Sequence, residues 1–153
     1  MEGTCGKICD TSNGVVRKVI KRKYKGFSAM QQYHIQQIAI NIVKNNNLKL
    51  IVVPKVFDYN NNSYSMEKID DSNPYYTDKS SLNDIFKKEL LIFYKEFEKN
   101  GYFPNDFECF LQKDNKICIV DFDKFIKIND KNDKKFDKET YLKNPFIPQF
   151  FYY

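Results

Sequence analysis

Ile117-Cys118-Ile119-Val120-Asp121-Phe122-Asp123 is an apolar run that ends in two carboxylates flanking an aromatic residue. A run this short and this apolar predicts a strand. A carboxylate at the end of such a strand can hold a divalent metal against a nucleotide's phosphates. Immediately upstream, Phe107 to Gln112 reads as a second strand, and a Lys-Asp-Asn-Lys turn joins the two into a hairpin.

Further upstream, Asn13 and Gly14 mark a turn, after which Val15, Val16, Val19 and Ile20 form a β-branched run interrupted by Arg17, Lys18 and Lys21. This predicts a strand with one basic residue aimed inward or upward. Ser28 and Gln31 make a capping box, and Ile35, Ile38, Ala39, Ile42 and Val43 repeat at helical spacing, which predicts a helix from 28 to 45. Asn45 to Asn47 stop it, Leu48 to Val53 reads as a strand closed by Pro54, and Asn60 to Asn62 turn into Tyr64 to Ile69 to make a hairpin. A second helix is predicted with Ser81 as its cap and Leu82, Ile85, Phe86, Leu90, Phe93 and Phe97 on its apolar face, ending at Asn100-Gly101. Residues 124 to 140, dense in Lys and Asp, read as flexible or weakly helical, and the aromatic end from Phe146 to Tyr153 is expected to fold back on the core.

A length of 153 residues predicts one domain with one sizeable core. The net charge of +5 is mild, and its basic residues concentrate between Lys18 and Lys25, so nucleic acid is not an expected partner. Cysteines at 5, 9, 109 and 118 lack the paired spacing of a structural zinc site and read as reduced thiols. No apolar run approaches the roughly 20 residues that span a bilayer, and the opening Met-Glu-Gly-Thr-Cys-Gly is not a signal peptide. A soluble, cytoplasmic protein without a membrane partner is expected. His34, the one histidine, reads as a helix-surface residue.

Several segments, taken in order, resemble the working parts of the protein kinase-like superfamily. Gly3 and Gly6 in Gly-Thr-Cys-Gly-Lys-Ile are similar to the last two glycines of a G-x-G-x-x-G-x-V phosphate loop. Val15-Val16-Arg17-Lys18-Val19-Ile20-Lys21-Arg22 resembles V-A-x-K-V-I-K-K, which implies Lys18 as the phosphate-binding lysine, with Lys21 as the alternative. Tyr64-Ser65-Met66-Glu67-Lys68-Ile69 is similar to the kinase hinge, which implies an adenine site at Met66, Glu67 and Lys68. Asn100-Gly101-Tyr102-Phe103-Pro104-Asn105-Asp106-Phe107 resembles N-G-x-x-H-G-D-L and implies Asp106 as the base that positions the acceptor. Asp121 then stands at the metal position, with Glu108 as the nearby oxygen ligand in place of an asparagine.

The resemblance covers about residues 1 to 125 and implies an α+β, kinase-like fold: a small antiparallel β-sheet lobe with one helix over residues 1–70, and a truncated helical lobe over residues 71–153. It also implies ATP and magnesium as cofactors, a protein substrate or host protein as partner, and a kinship with the pared-down kinase-like proteins of large AT-rich DNA viruses, which act in the host cytoplasm. The helix from 28 to 45 carries no Glu to pair with the lysine, only Gln31, Gln32, His34, Gln36 and Gln37, and the chain ends about 30 residues past Asp123, which leaves no room for an activation segment. Three functions stay open from these residues: a protein kinase, a catalytically inactive pseudokinase scaffold, and a small-molecule phosphotransferase.

Overall fold

The asparagine and glycine at positions 13 and 14 join β1 (Gly6–Ser12) to β2 (Val15–Ile20) in a tight antiparallel hairpin. Gly14 sits at φ +77, where a side chain would strain the turn. The computed structural model describes residues 6–75 and 84–128 of the chain. The fold is α+β. β2 also pairs with β5 (Ser63–Glu67), and β5 pairs with β4 (Val56–Tyr59), giving a four-stranded antiparallel sheet in the order β1-β2-β5-β4. β2 is therefore an interior strand, and its period-two alternation sends Val16 and Lys18 to the buried face. The neighbouring Arg17 takes the other face, where it pairs with Asp58 and Ser63.

α1 (Ala29–Asn45) forms as its capping box predicts. Ser28 Oγ accepts the Gln31 N–H at 3.2 Å, and Gln31 Oε1 accepts the Ser28 N–H at 2.8 Å. Asn46 caps the far end and Asn47 leaves it at φ +53. Ala29 packs with Val16, Tyr64 and Met66 beneath the four-stranded sheet, while Ile35, Ala39 and Ile42 face the larger core.

The run from Leu48 to Val53 forms only a short strand, β3 (Ile51–Val52), closed by Pro54. It pairs parallel with β8 (Ile117–Val120) in a second sheet, while the strand opposite β5 is Val56–Tyr59, whose half-exposed Phe57 and Tyr59 hide its strand character in the sequence. α2 (Asp84–Lys99) buries Phe86, Leu90, Phe93 and Phe97 as predicted. Ile85 instead points outward with 59% of its surface exposed, because the buried stripe runs through Glu89 and Tyr94. The predicted cap Ser81 and Leu82 lie outside the described residues, and Gly101 at φ +90 ends the helix.

β7 (Glu108–Leu111) and β8 form the predicted hairpin, with Asn115 at φ +64 in its turn. Both strands are shorter than the sequence suggests, because Asp121 adopts φ +78 and ends β8 before Phe122. The expectation of a flexible or weakly helical segment from 124 is corrected at its start: Ile126–Lys127 is a strand, β9, antiparallel to β6 (Tyr102–Phe103). Residues 129–140 and the aromatic end lie outside the described residues. The second half is also less helical than expected, with α2 as its one helix among the described residues and short strands around it.

One core runs through both halves. Ile35, Ala39 and Ile42 of α1 meet Phe86, Leu90, Phe93 and Phe97 of α2, Ile117 and Ile119 of β8, and Phe107, Phe122 and Phe125. Each such aromatic or aliphatic side chain contributes about 1.5–3 kcal/mol when fully buried. No helix among the described residues is long and apolar enough to cross a membrane.

Candidate functional site

Lys18 reaches the site because β2 is interior and its even positions face inward; the residue retains 7% of its surface. Its Nζ lies 3.4 Å from Asp121 Oδ1, which joins positions 103 residues apart in the chain. Lys21, the alternative phosphate ligand, is exposed beyond the end of β2. The strand register therefore favours Lys18.

Asp121 is delivered by the central strand of the β3-β8-β7 sheet. Its left-handed backbone turns the chain sharply, so that Phe122 enters the core while Asp123 returns to the side of Asp121. The two carboxyl groups share a hydrogen bond, and Tyr24 Oη donates to Asp123 Oδ2 at 2.9 Å. Burial pushes the Asp121 carboxyl up to about 7, and the hydrogen bond that Asp121 donates to Asp123 adds to this against the pull of Lys18. Burial also raises Asp123, but the Asp121 hydrogen bond, Lys18 and Tyr24 outweigh it and hold Asp123 below the usual carboxylate range. Below neutrality the pair thus shares one proton, carried by Asp121, with the charge on Asp123.

A pH dependence of stability follows from Asp121. Its proton is retained in the folded chain up to about pH 7 but is lost from the unfolded chain near the ordinary value of 3.8. Stability from this group is full below that lower value and declines as pH rises toward 7. Asp123, held low, acts only in the acid range below it. Thermal melts between pH 4 and pH 7 should show Asp121→Asn with a smaller loss of stability toward neutrality than the wild type; an unchanged profile would contradict this arrangement.

Asp106, the expected acceptor base, sits at φ +49 in the loop between β6 and β7. It is about half exposed and pairs with Lys124 Nζ at 2.8 Å. That hydrogen bond raises the Lys124 ammonium, and both Asp123 and Asp121 act on it at longer range, so Asp106 lies at the same end of the molecule as the carboxylate pair. Asn105 Nδ2 ties the loop to the Lys124 carbonyl at 3.1 Å. Among the described residues, Asp106 and Asp121 are two of the four non-glycine residues at positive φ, and the other two are Asn47 and Asn115; Asp and Asn are the side chains that adopt this conformation most readily.

The remaining expectations divide. Glu108, expected as a metal ligand, is exposed at the start of β7 and acts on Asp121 only through space; Asp123 is the carboxylate in contact. Gly3 lies outside the described residues. Gly6 is buried in β1, and a Cβ there would fall 2.1 Å from the Val19 carbonyl oxygen, so strand pairing explains this glycine without a phosphate. Met66 is buried with Sδ 3.7 Å from Gln36 Nε2. The Glu67 N–H donates to Lys55 O and the Lys68 N–H to Gly14 O, at 2.8 and 2.7 Å, so neither amide is available to a base. A cavity of about 740 Å³ does adjoin this stretch, lined by Glu67 to Asp70, Val52 to Pro54, Gln112 to Asp114 and Lys116 among others, but it includes none of Lys18, Asp106 and Asp121.

In place of a helix carboxylate, α1 buries Gln32 and Gln36. Gln36 Nε2 donates to Pro54 O at 2.9 Å and Gln32 Nε2 to Phe27 O at 2.9 Å, which ties the helix to its flanking loops. Cys9, Cys109 and Cys118 are free thiols; burial pushes Cys109 well above its ordinary value and Cys118 up to about 12, so neither buried thiol is a nucleophile. His34 is on the helix surface as expected, beside Tyr33 and Tyr59.

Among the described residues no three His, Cys, Asp or Glu side chains gather at metal-ligand spacing. Two adjoining carboxylates beside a lysine nevertheless fit magnesium carried by a nucleotide, since that ion keeps waters and phosphate oxygens and takes one or two protein carboxylates. Tyr24, Asp123 and Lys124 were not singled out as site residues by sequence. Their contacts depend on the left-handed turn at Asp121, and only the Asp-x-Asp spacing hinted at the pair.

Proposed function

We propose that this chain, which no protein-family model and no curated protein matches, is a minimal kinase-like protein that binds ATP with magnesium at the Lys18–Asp121–Asp123 cluster and transfers the γ-phosphoryl to a protein hydroxyl. The observation that carries this reading is the approach of Lys18 Nζ to Asp121 Oδ1 at 3.4 Å, with a second carboxylate alongside. Lys18 neutralises phosphate oxygens. Asp121 and Asp123 would hold the metal, which supplies charge neutralisation on the phosphates when bound. Asp106 orients the acceptor hydroxyl and takes its proton as the oxygen attacks the γ-phosphorus and ADP leaves. Lys124 must yield part of its contact with Asp106 as the acceptor enters.

An inactive scaffold is the second reading, favoured by the glutamines that α1 offers in place of a carboxylate and by the Asp106–Lys124 pair. Radiolabelled ATP with magnesium and a protein acceptor separates the two. The kinase reading expects label on the acceptor, and its loss in Asp106→Asn with nucleotide binding retained. Nucleotide binding without any transfer selects the scaffold.

A further inference from the structure

The connector between β2 and α1 carries Lys21, Arg22, Lys23 and Lys25 around Tyr24, all four cations exposed. The Tyr24 N–H donates to Lys21 O at 2.9 Å, which closes a turn with Arg22 and Lys23 at its tip. The Tyr24 hydroxyl is fixed on Asp123, 2.9 Å from Oδ2. Because adjacent Cα atoms are about 3.8 Å apart, this anchor keeps the connector's backbone at the same end of the molecule as the carboxylate pair. The ion pairs of the described residues leave Arg22, Lys23 and Lys25 unneutralised.

We infer that this connector is the docking rim for an acidic protein segment, and that acceptors carry Asp or Glu a few residues from the hydroxyl. The inference rests on the acceptor role proposed above and names its substrate class. Its basis is charge complementarity. Lys124 balances Asp106 and Lys18 faces the Asp121–Asp123 pair, so the site itself is close to charge balance, while the uncompensated cations lie to one side. An extended peptide advances about 3.3 Å per residue, so its hydroxyl can enter between the carboxylates while its acidic residues reach the connector.

A nucleic acid fits less well. Single strands need aromatic faces on which bases stack. The two aromatics interleaved with these cations are both turned inward, Tyr24 onto Asp123 and Phe27 edge-on against Tyr102 at 6.2 Å.

The test is fluorescence anisotropy with the full chain and three labelled serine peptides that differ only in flanking residues: Asp/Glu, Asn/Gln or Lys. The acidic peptide should bind about tenfold or more tighter than the neutral one, with the advantage erased by raised salt, as expected for rim charges acting across solvent. The triple variant Arg22→Ser, Lys23→Ser, Lys25→Ser should lose that preference while its ATP-Mg titration matches the wild type. Equal binding of the three peptides overturns the inference, as does an oligouridylate that displaces the acidic peptide and binds more tightly at the same salt. Acidic-peptide binding in a chain that fails to bind ATP would sink the proposed function alone; ATP binding without peptide preference would sink only the rim.

Discussion

Glu89→Ala should cost about 3–5 kcal/mol of folding stability, a large share of what a domain of this size holds. Glu89 is a carboxylate on the core face of α2 with 7% of its surface exposed. Its Oε1 accepts the N–H groups of Leu50 and Ile51 at 2.9 and 3.1 Å, and its Oε2 those of Lys49 and Leu50, both at 3.1 Å. Truncation leaves three backbone donors without their acceptor and a cavity beside the core. Denaturant unfolding should show a lower midpoint with an unchanged slope, and Glu89→Gln, which keeps one oxygen, should fall between. A loss within about 0.5 kcal/mol, the scale of a neutral surface change, would show that the clamp is dispensable.

This clamp connects stability to the site. Ile51 is the first residue of β3 and pairs with Ile117 at the start of β8, and Asp121 directly follows that strand. The folded fraction of Glu89→Ala should therefore also bind nucleotide less well than the wild type.

Lys18→Met should retain the fold and lose the ligand. Met has nearly the same length and suits a buried position, but the Asp123 charge loses a cation and keeps only the Asp121 and Tyr24 hydrogen bonds; stability should fall by about 1–3 kcal/mol while the chain still folds. Affinity for ATP-Mg should fall by about 2–5 kcal/mol, from roughly 30-fold to several-thousand-fold, because a desolvated cation facing phosphate has no replacement. Lys21→Met, at an exposed position, should leave affinity nearly unchanged. If the two variants are equally impaired, the assignment of Lys18 through the strand register is wrong.

The sequence made α1 legible because a capping box, a helical repeat and an asparagine stop agree at Ser28, Gln31 and Asn45 to Asn47. Lys18 was legible only in part: β-branched neighbours fix a strand, but the choice between Lys18 and Lys21 depends on the register and end of β2 between β1 and β5. Glu89 was hidden, since a carboxylate in a helix rich in Lys and Glu reads as solvated and only the approach of Lys49 to Ile51 makes it internal. The parallel pairing of β3 with β8 was equally hidden, because two residues carry no register signal of their own. The Asp121–Asp123–Tyr24 contacts depend on a backbone inversion at Asp121 that no local propensity demands. Gly6 misled for a physical reason, as a close strand crossing and a close phosphate both call for a missing Cβ.

Calorimetric titration of ATP, with and without magnesium, into the wild type and Asp121→Asn measures the central claim most directly. The account predicts saturable binding to the wild type that requires magnesium and weakens about tenfold or more in the variant, the scale of one lost charged contact. A wild-type chain that takes up no ATP, or a variant that binds it equally well, would contradict it.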